Sequence, residues 1–339
     1  MKQYRIISGL TVGAVVFLIL VGGLVRMTGS GLGCPDWPQC FGQWVPPTDI
    51  SQLPEDYKSQ YAIAGREIAD FDAFKTWVEY INRLIGVLIG LLAIATTALS
   101  LRLPRGKGFA PAKWLSAGAL LMTIVQGGIG AYVVRTHLHT GMISLHMGIA
   151  LLILGMLITA RLYAFREKQL PPLPASLKWS ALLLLIVTLV QIFLGTQVRE
   201  MVDVVSEQMG EAARNTWLSQ LGITYEIHQV SYYLVVVLAV ALGLRMRHHL
   251  AAFPFGKWML LGIGLTLGAE VVMGIGMHNF GIPAWMQPLH LLFATCLFAC
   301  EWALLASLLI WKHAKPAELS MWEHTEAPEP PVQSPTMTS

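Results

Sequence analysis

Four polar side chains stand inside otherwise apolar runs at about the same distance from one end: Asn82, His146, His228 and His290. Each lies four or five residues past the point where its run would enter a bilayer, near Trp77, Gly141, Thr224 and Trp285. At a rise of ~1.5 Å per residue they sit about 6–8 Å below one interface. Ionisable or metal-binding groups inside a span are costly and mark function by default. Two imidazoles on facing helices of a bundle can hold a haem iron through both axial positions, and His228 and His290 make such a pair. The chain has no C-x-x-C-H for covalent haem attachment. Glu79 with Asn82, and Glu226 with His228, do not supply the repeated Glu-x-x-His set of a di-iron site.

The elements that must position these residues follow from composition. Hydrophobic residues make up 55% of the 339 and charged residues 13%, against about 25% charged in an ordinary soluble chain. The mean hydropathy is +0.57. Disorder, a collagen-like repeat and a small disulfide scaffold are excluded. The formal charge of +3 is spread between apolar runs, so nucleic acid is not a partner. A bilayer-spanning helix needs about 20 mostly apolar residues. Such runs cover 6–25, 84–101, 114–134, 141–160, 179–198, 227–244, 258–277 and 285–311, the last two carrying Glu270 and Glu301. The prediction is an all-α integral membrane protein of eight transmembrane helices. The first run is preceded only by Lys2 and Arg5 and followed by no small-residue cleavage site, so it reads as a retained helix.

With the N-terminus inside, the inner segments hold roughly twice as many Lys and Arg as the outer ones, which places both termini in the cytoplasm. The two halves echo one another. V-Q-G-G-I-G (125–130) returns as A-E-V-V-M-G (269–274), and V-G-G-L-V-R (21–26) returns as L-G-T-Q-V-R (194–199). Two pseudo-symmetric four-helix bundles are expected, 1–163 with a long outer loop at 27–76, and 164–311. Residues 312–339 are rich in Pro, Glu, Ser and Thr and read as a disordered tail.

Five motifs carry a family resemblance: R-M-T-G-S-G-L-G-C-P-D-W-P-Q-C-F-G (26–42), W-V-E-Y-I-N-R (77–83), S-L-H (144–146), Y-E-I-H-Q (225–229) and P-L-H (288–290). The chain from about Ile6 to Trp311 resembles the haem A synthase family, eight-helix enzymes that oxidise a peripheral methyl of haem O to the formyl group of haem A. The resemblance implies a resident haem b on His228 and His290, and substrate haem O in the first half with His146 as a ligand. The family pattern at 79–83 is Glu-x-x-His-Arg; Asn82 stands here in the histidine's place. An amide is a poor iron ligand, so the Asn82 side of the substrate iron is expected to be open, unless His137 or His139 folds inward.

Glu79 matches the family's essential glutamate, for proton transfer or for stabilising positive charge as the methyl is oxidised; a carboxylate merely paired with Arg83 or Lys75 is the alternative. Arg83 is read either as a haem propionate partner or as a snorkelling arginine. Cys34 and Cys40 lie in the first outer loop, in an oxidising compartment on this topology, and are expected to be bridged, either as a redox pair or as a static staple. Cys296 and Cys300 are read as packing residues. Glu270 falls at the place of Gln126 and Gln191 in the repeated odd-helix motif and is read as structural or as part of a proton route. The implied setting is the bacterial inner membrane. The implied partners are haem O synthase and an electron donor that the sequence does not identify, with homo-oligomerisation open. The rival readings are a di-haem b-type electron-transfer cytochrome and a non-catalytic haem-binding chaperone of oxidase assembly.

Overall fold

The computed structural model describes residues 1–63, 65, 67–106, 108–138, 140–165 and 173–311. The expected tail at 312–339 and His139 lie outside the described residues. Among the described residues, eight helices are long and apolar enough to cross a bilayer. They are α1 (Lys2–Met27), α2 (Ala73–Leu101), α3 (Ala110–Arg135), α4 (Thr140–Tyr163), α5 (Ala175–Met209), α6 (Gly222–Met246), α7 (Pro254–Asn279) and α8 (Met286–Ile310). With no water in the bilayer core, each backbone polar group must be satisfied within its own helix, which is why the apolar runs fold this way. Asp72 caps α2, its side chain accepting from the Lys75 N–H at 3.1 Å. Proline in the first turn starts both α3 and α7.

One boundary differs from the sequence expectation. α5 does not stop near Val198 but continues to Met209, and a 3₁₀ segment, Glu211–Gln220, folds back over it. The extension is amphipathic. Its Val202 and Val205 are buried beneath Trp217, Leu221 and Ile282, while Asp203 turns to two arginines described below.

The first four helices close on one another, α1 on α2 and α4, α2 on α3, and α3 on α4; α5 to α8 close in the same order. α8 joins the two groups, because it also packs against α1 and α4. Half of its most apolar window is buried, more than in any other span. Between helices in lipid the attraction comes from close packing and interhelical hydrogen bonds. Gly155 of α4 lets the Trp302 ring of α8 lie flush, since a Cβ there would come within 2.7 Å of it. One turn away, Trp302 Nε1 donates to Thr159 Oγ1 at 2.9 Å. Thr11 and Thr96 hydroxyls meet at 2.8 Å between α1 and α2, and Tyr4 and Ser116 at 3.1 Å between α1 and α3.

Candidate functional site

The first outer loop is gripped by the beginning of α2. Cys34 and Cys40 form a disulfide with their Cα atoms 4.9 Å apart, and both residues are fully buried. Asp36 turns the loop by accepting from the Phe41 and Gly42 N–H groups at 2.6 and 2.8 Å. Phe41 packs against Tyr57, Tyr61 and Phe71. Burial in this cluster, and secondarily the charge of Asp36, pushes the Tyr61 phenol above its ordinary value.

Glu79 and Arg83 lie one turn apart on α2 and carry the contact between loop and helix. Glu79, only 4% exposed, accepts from the Cys34 N–H at 2.9 Å and from Arg83 Nη2 at 2.5 Å. Arg83 in turn donates to the carbonyls of Cys34, Asp36 and Gln39 at 3.0, 2.6 and 2.9 Å. The Arg83 guanidinium, read from the sequence as either a haem propionate partner or a snorkelling arginine, is bonded to the loop in this structure. Both ends of a buried pair are satisfied here, the condition under which burial of charge is tolerated.

Gly33 permits this docking. A Cβ at that position would lie 2.5 Å from the Lys75 carbonyl oxygen, and Thr76 Oγ1 bonds the Gly33 carbonyl at 2.9 Å. Gly33→Ala is therefore expected to lift the loop from α2 at a cost of about 1–3 kcal/mol. The check is faster proteolysis within 34–63 and faster reduction of the disulfide than in the parent protein.

The histidines are seated by the odd-numbered helices. Gln126 Nε2 of α3 donates to the His146 carbonyl at 2.7 Å, and Gln191 Nε2 of α5 donates to the His228 carbonyl at 2.8 Å. One turn further along each helix is a glycine against the ring: a Cβ at Gly130 would lie 3.5 Å from His146 Cε1, and one at Gly195 would lie 3.2 Å from His228 Cε1. Glu270 of α7 holds the third such place, with Oε2 3.0 Å from His290 Nδ1. The angles fall outside those of a hydrogen bond, so that nitrogen has no hydrogen-bond partner among the described residues, as is also true of Nδ1 in His146 and His228. The motif expected as a mark of duplication is thus a histidine seat. In α1 the equivalent positions are Leu18 and Gly22, and α2 opposite carries no histidine but Asn82, whose buried Oδ1 lacks a partner among the described residues.

His228 and His290 face each other, their ring centres 6.4 Å apart and their planes at 88°. A metal–imidazole bond is about 2 Å, with about 1 Å more to each ring centre, so one metal between two rings needs a span of about 6 Å. Both rings line a cavity of about 610 Å³ enclosed mainly by α5 to α8, with Gly23 and Arg26 from α1 and Met147 from α4. Among the described residues no three of His, Cys, Asp and Glu converge as metal ligands. The pair suits a metal whose other positions are filled by its own macrocycle, and the cavity has the volume usual for such ligands.

His137 does not fold inward; its Nε2 bonds the Ile63 carbonyl at 2.8 Å. His278 shares a 2.7 Å bond with the Tyr225 hydroxyl. Glu301 is buried, accepting from Thr188 Oγ1 at 3.0 Å. Cys296 and Cys300 are free and partly buried. Two residues at the cavity escaped the sequence reading as site candidates, Arg26 and Arg199. The repeated ending Val-Arg was their signal.

The COX15-CtaA family, described as cytochrome oxidase assembly protein, matches residues 5–301. Among curated relatives, the chain is similar to a "Heme A synthase" of Methylorubrum extorquens, with 28% identity over 83% of this chain and 80% of that one. A "Heme A synthase" of Methylobacterium radiotolerans is 29% identical over 81% and 82%. Another of Paracoccus denitrificans is 28% identical over 84% and 82%. With that match running from the first span into the last, the chain belongs to the COX15-CtaA family of cytochrome oxidase assembly proteins.

Proposed function

We propose that this integral membrane protein is a haem A synthase, oxidising a peripheral methyl of haem O to the formyl group of haem A for terminal oxidase assembly. The observation that carries the reading is the end-to-end likeness to relatives of that name. The working division is a substrate half, 1–163, and a cofactor half, 164–311, in a bacterial inner membrane with both termini cytoplasmic. Haem O synthase is the source of substrate, and an electron donor and self-association complete the partner set.

The residues present fit a haem b in the second half. His228 and His290 are opposed at a suitable separation across a cavity of suitable volume, and their Nδ1 atoms lack hydrogen-bond partners among the described residues. A haem bound there supplies one-electron transfer. Gln191 fixes the backbone of His228, and Glu270 lies beside His290 with Oε2 3.0 Å from its Nδ1. In the first half His146 binds the substrate iron, and Gln126 holds the backbone beneath it. Asn82 leaves the other side open and offers an amide that both donates and accepts. Glu79, one turn outward on the same face, moves the proton, with Arg83 balancing its charge and the Cys34 N–H fixing one carboxylate oxygen. The Cys34–Cys40 bridge keeps those donors in place.

The test is co-expression of the full chain with a haem O source, followed by extraction and chromatography of the haems. Haem A is the expected product. Haem b alone would replace this reading with an electron-transfer cytochrome. Haem O bound and unconverted in the presence of reductant and oxygen would replace it with a haem-carrying chaperone.

A further inference from the structure

The strongest cluster outside the ligands just described lies at the outer mouth of the second-half cavity. Arg26 and Arg199 both line that cavity. Arg199 stands four residues beyond Gly195, the seat of His228, and so about 6 Å further out along α5. Arg26 stands three residues beyond Gly23, which packs on Pro288 two residues before His290. Each guanidinium is therefore about one helical turn outward of one histidine.

The two converge on a single carboxylate. Arg26 reaches Asp203 Oδ2 through Nε at 3.0 Å and Nη2 at 2.5 Å, and Arg199 Nη1 meets Oδ1 of the same residue. Asp203 balances one of these two cations; of the other carboxylates, Glu200 beside Arg199 accepts from Ser144 Oγ at 3.2 Å and Glu270 lies at His290. Of the other charges nearby, Arg214 is committed to Glu211 at 2.9 Å and to the Ile282 carbonyl at 2.5 Å. Arginine forks match carboxylates in shape and charge, and such bonds are about twice as strong as neutral ones. The two arginines also hold equivalent places in the repeat, yet both serve the same cavity.

We propose that Arg26 and Arg199 form a clamp for two carboxylates, and that it holds the propionates of the haem bound between His228 and His290, in exchange for part of their pairing with Asp203. This rests on the reading of that pair as haem ligands. It makes a first-half residue part of the second-half site.

The experiment uses the full chain, made without haem and titrated with iron protoporphyrin IX or with its dimethyl ester, whose propionates carry no charge. At about tenfold per charge-assisted pair, the parent protein is expected to prefer the free acid by about 100-fold. Arg26→Gln and Arg199→Gln are each expected to lower that preference to about tenfold. Asp203→Asn breaks the same ion pairs but spares both guanidinium groups, and should keep the preference or raise it. Equal binding of acid and ester by the parent protein, with a low-spin spectrum for both, would overturn the clamp and leave the histidine pair standing. So would a loss of preference in Asp203→Asn as large as in the arginine variants, since a structural ion pair predicts that result. Failure of both porphyrins to give a low-spin centre in the parent protein would remove the histidine pair and the clamp together.

Discussion

Replacing either His228 or His290 with alanine is expected to abolish the low-spin, bis-histidine spectrum of the purified protein. The rings are opposed at 6.4 Å across the cavity, so on the haem reading each substitution removes one of two axial ligands rather than a neighbour of the site. Loss of a supporting residue behind a metal ligand typically costs about 10–100-fold in affinity; loss of the ligand itself should exceed that. Haem content should fall with the spectrum, and any haem retained should be high-spin. The outer loop, held by Glu79 and Arg83 on α2, should stay folded, with the disulfide intact. An unchanged low-spin signal in both single variants would sink the assignment.

His146→Ala is expected to end conversion of haem O while the second-half haem b signal stays at the parent level. His146 is seated by Gln126 and Gly130, independently of the residues that seat His228 and His290. Resonance Raman of the substrate-loaded parent protein should show no second bis-histidine centre, because α2 carries Asn82 where the repeat would place a second imidazole. His137→Ala should change little, since that ring is tied to the Ile63 carbonyl. A six-coordinate bis-histidine substrate centre, lost on replacing His137 or His139, would refute the open side at Asn82.

The spans were legible because a bilayer imposes one demand, about 20 apolar residues, and the sequence either meets it or does not. The extension of α5 to Met209 was not, because its polar stretch is helical only through tertiary partners, Asp203 with two arginines and Val202 under Trp217. His228 and His290 stood out as imidazoles in lipid. Gln126, Gln191 and Glu270 stood out as a repeat, but nothing in a repeat says that two of them bond the backbone of a histidine. The loop contact of Arg83 was hidden for a related reason. Its position on α2 left a propionate partner and a snorkelling arginine both open, and three of its bonds go to carbonyls of a loop more than 40 residues earlier, a contact with no local signature.

The central place of α8 bears on the order in which the protein is made. Among the eight spans it is the last to leave the ribosome, and it brings His290. Until it arrives, the faces of α1, α4 and α5 that it covers remain open to lipid, and His228 waits without its counterpart. On the haem reading proposed above, loading of the cofactor follows synthesis of the last span rather than accompanying it. A chain stalled before α8 offers the quality-control machinery an uncovered flank, not a half-active enzyme.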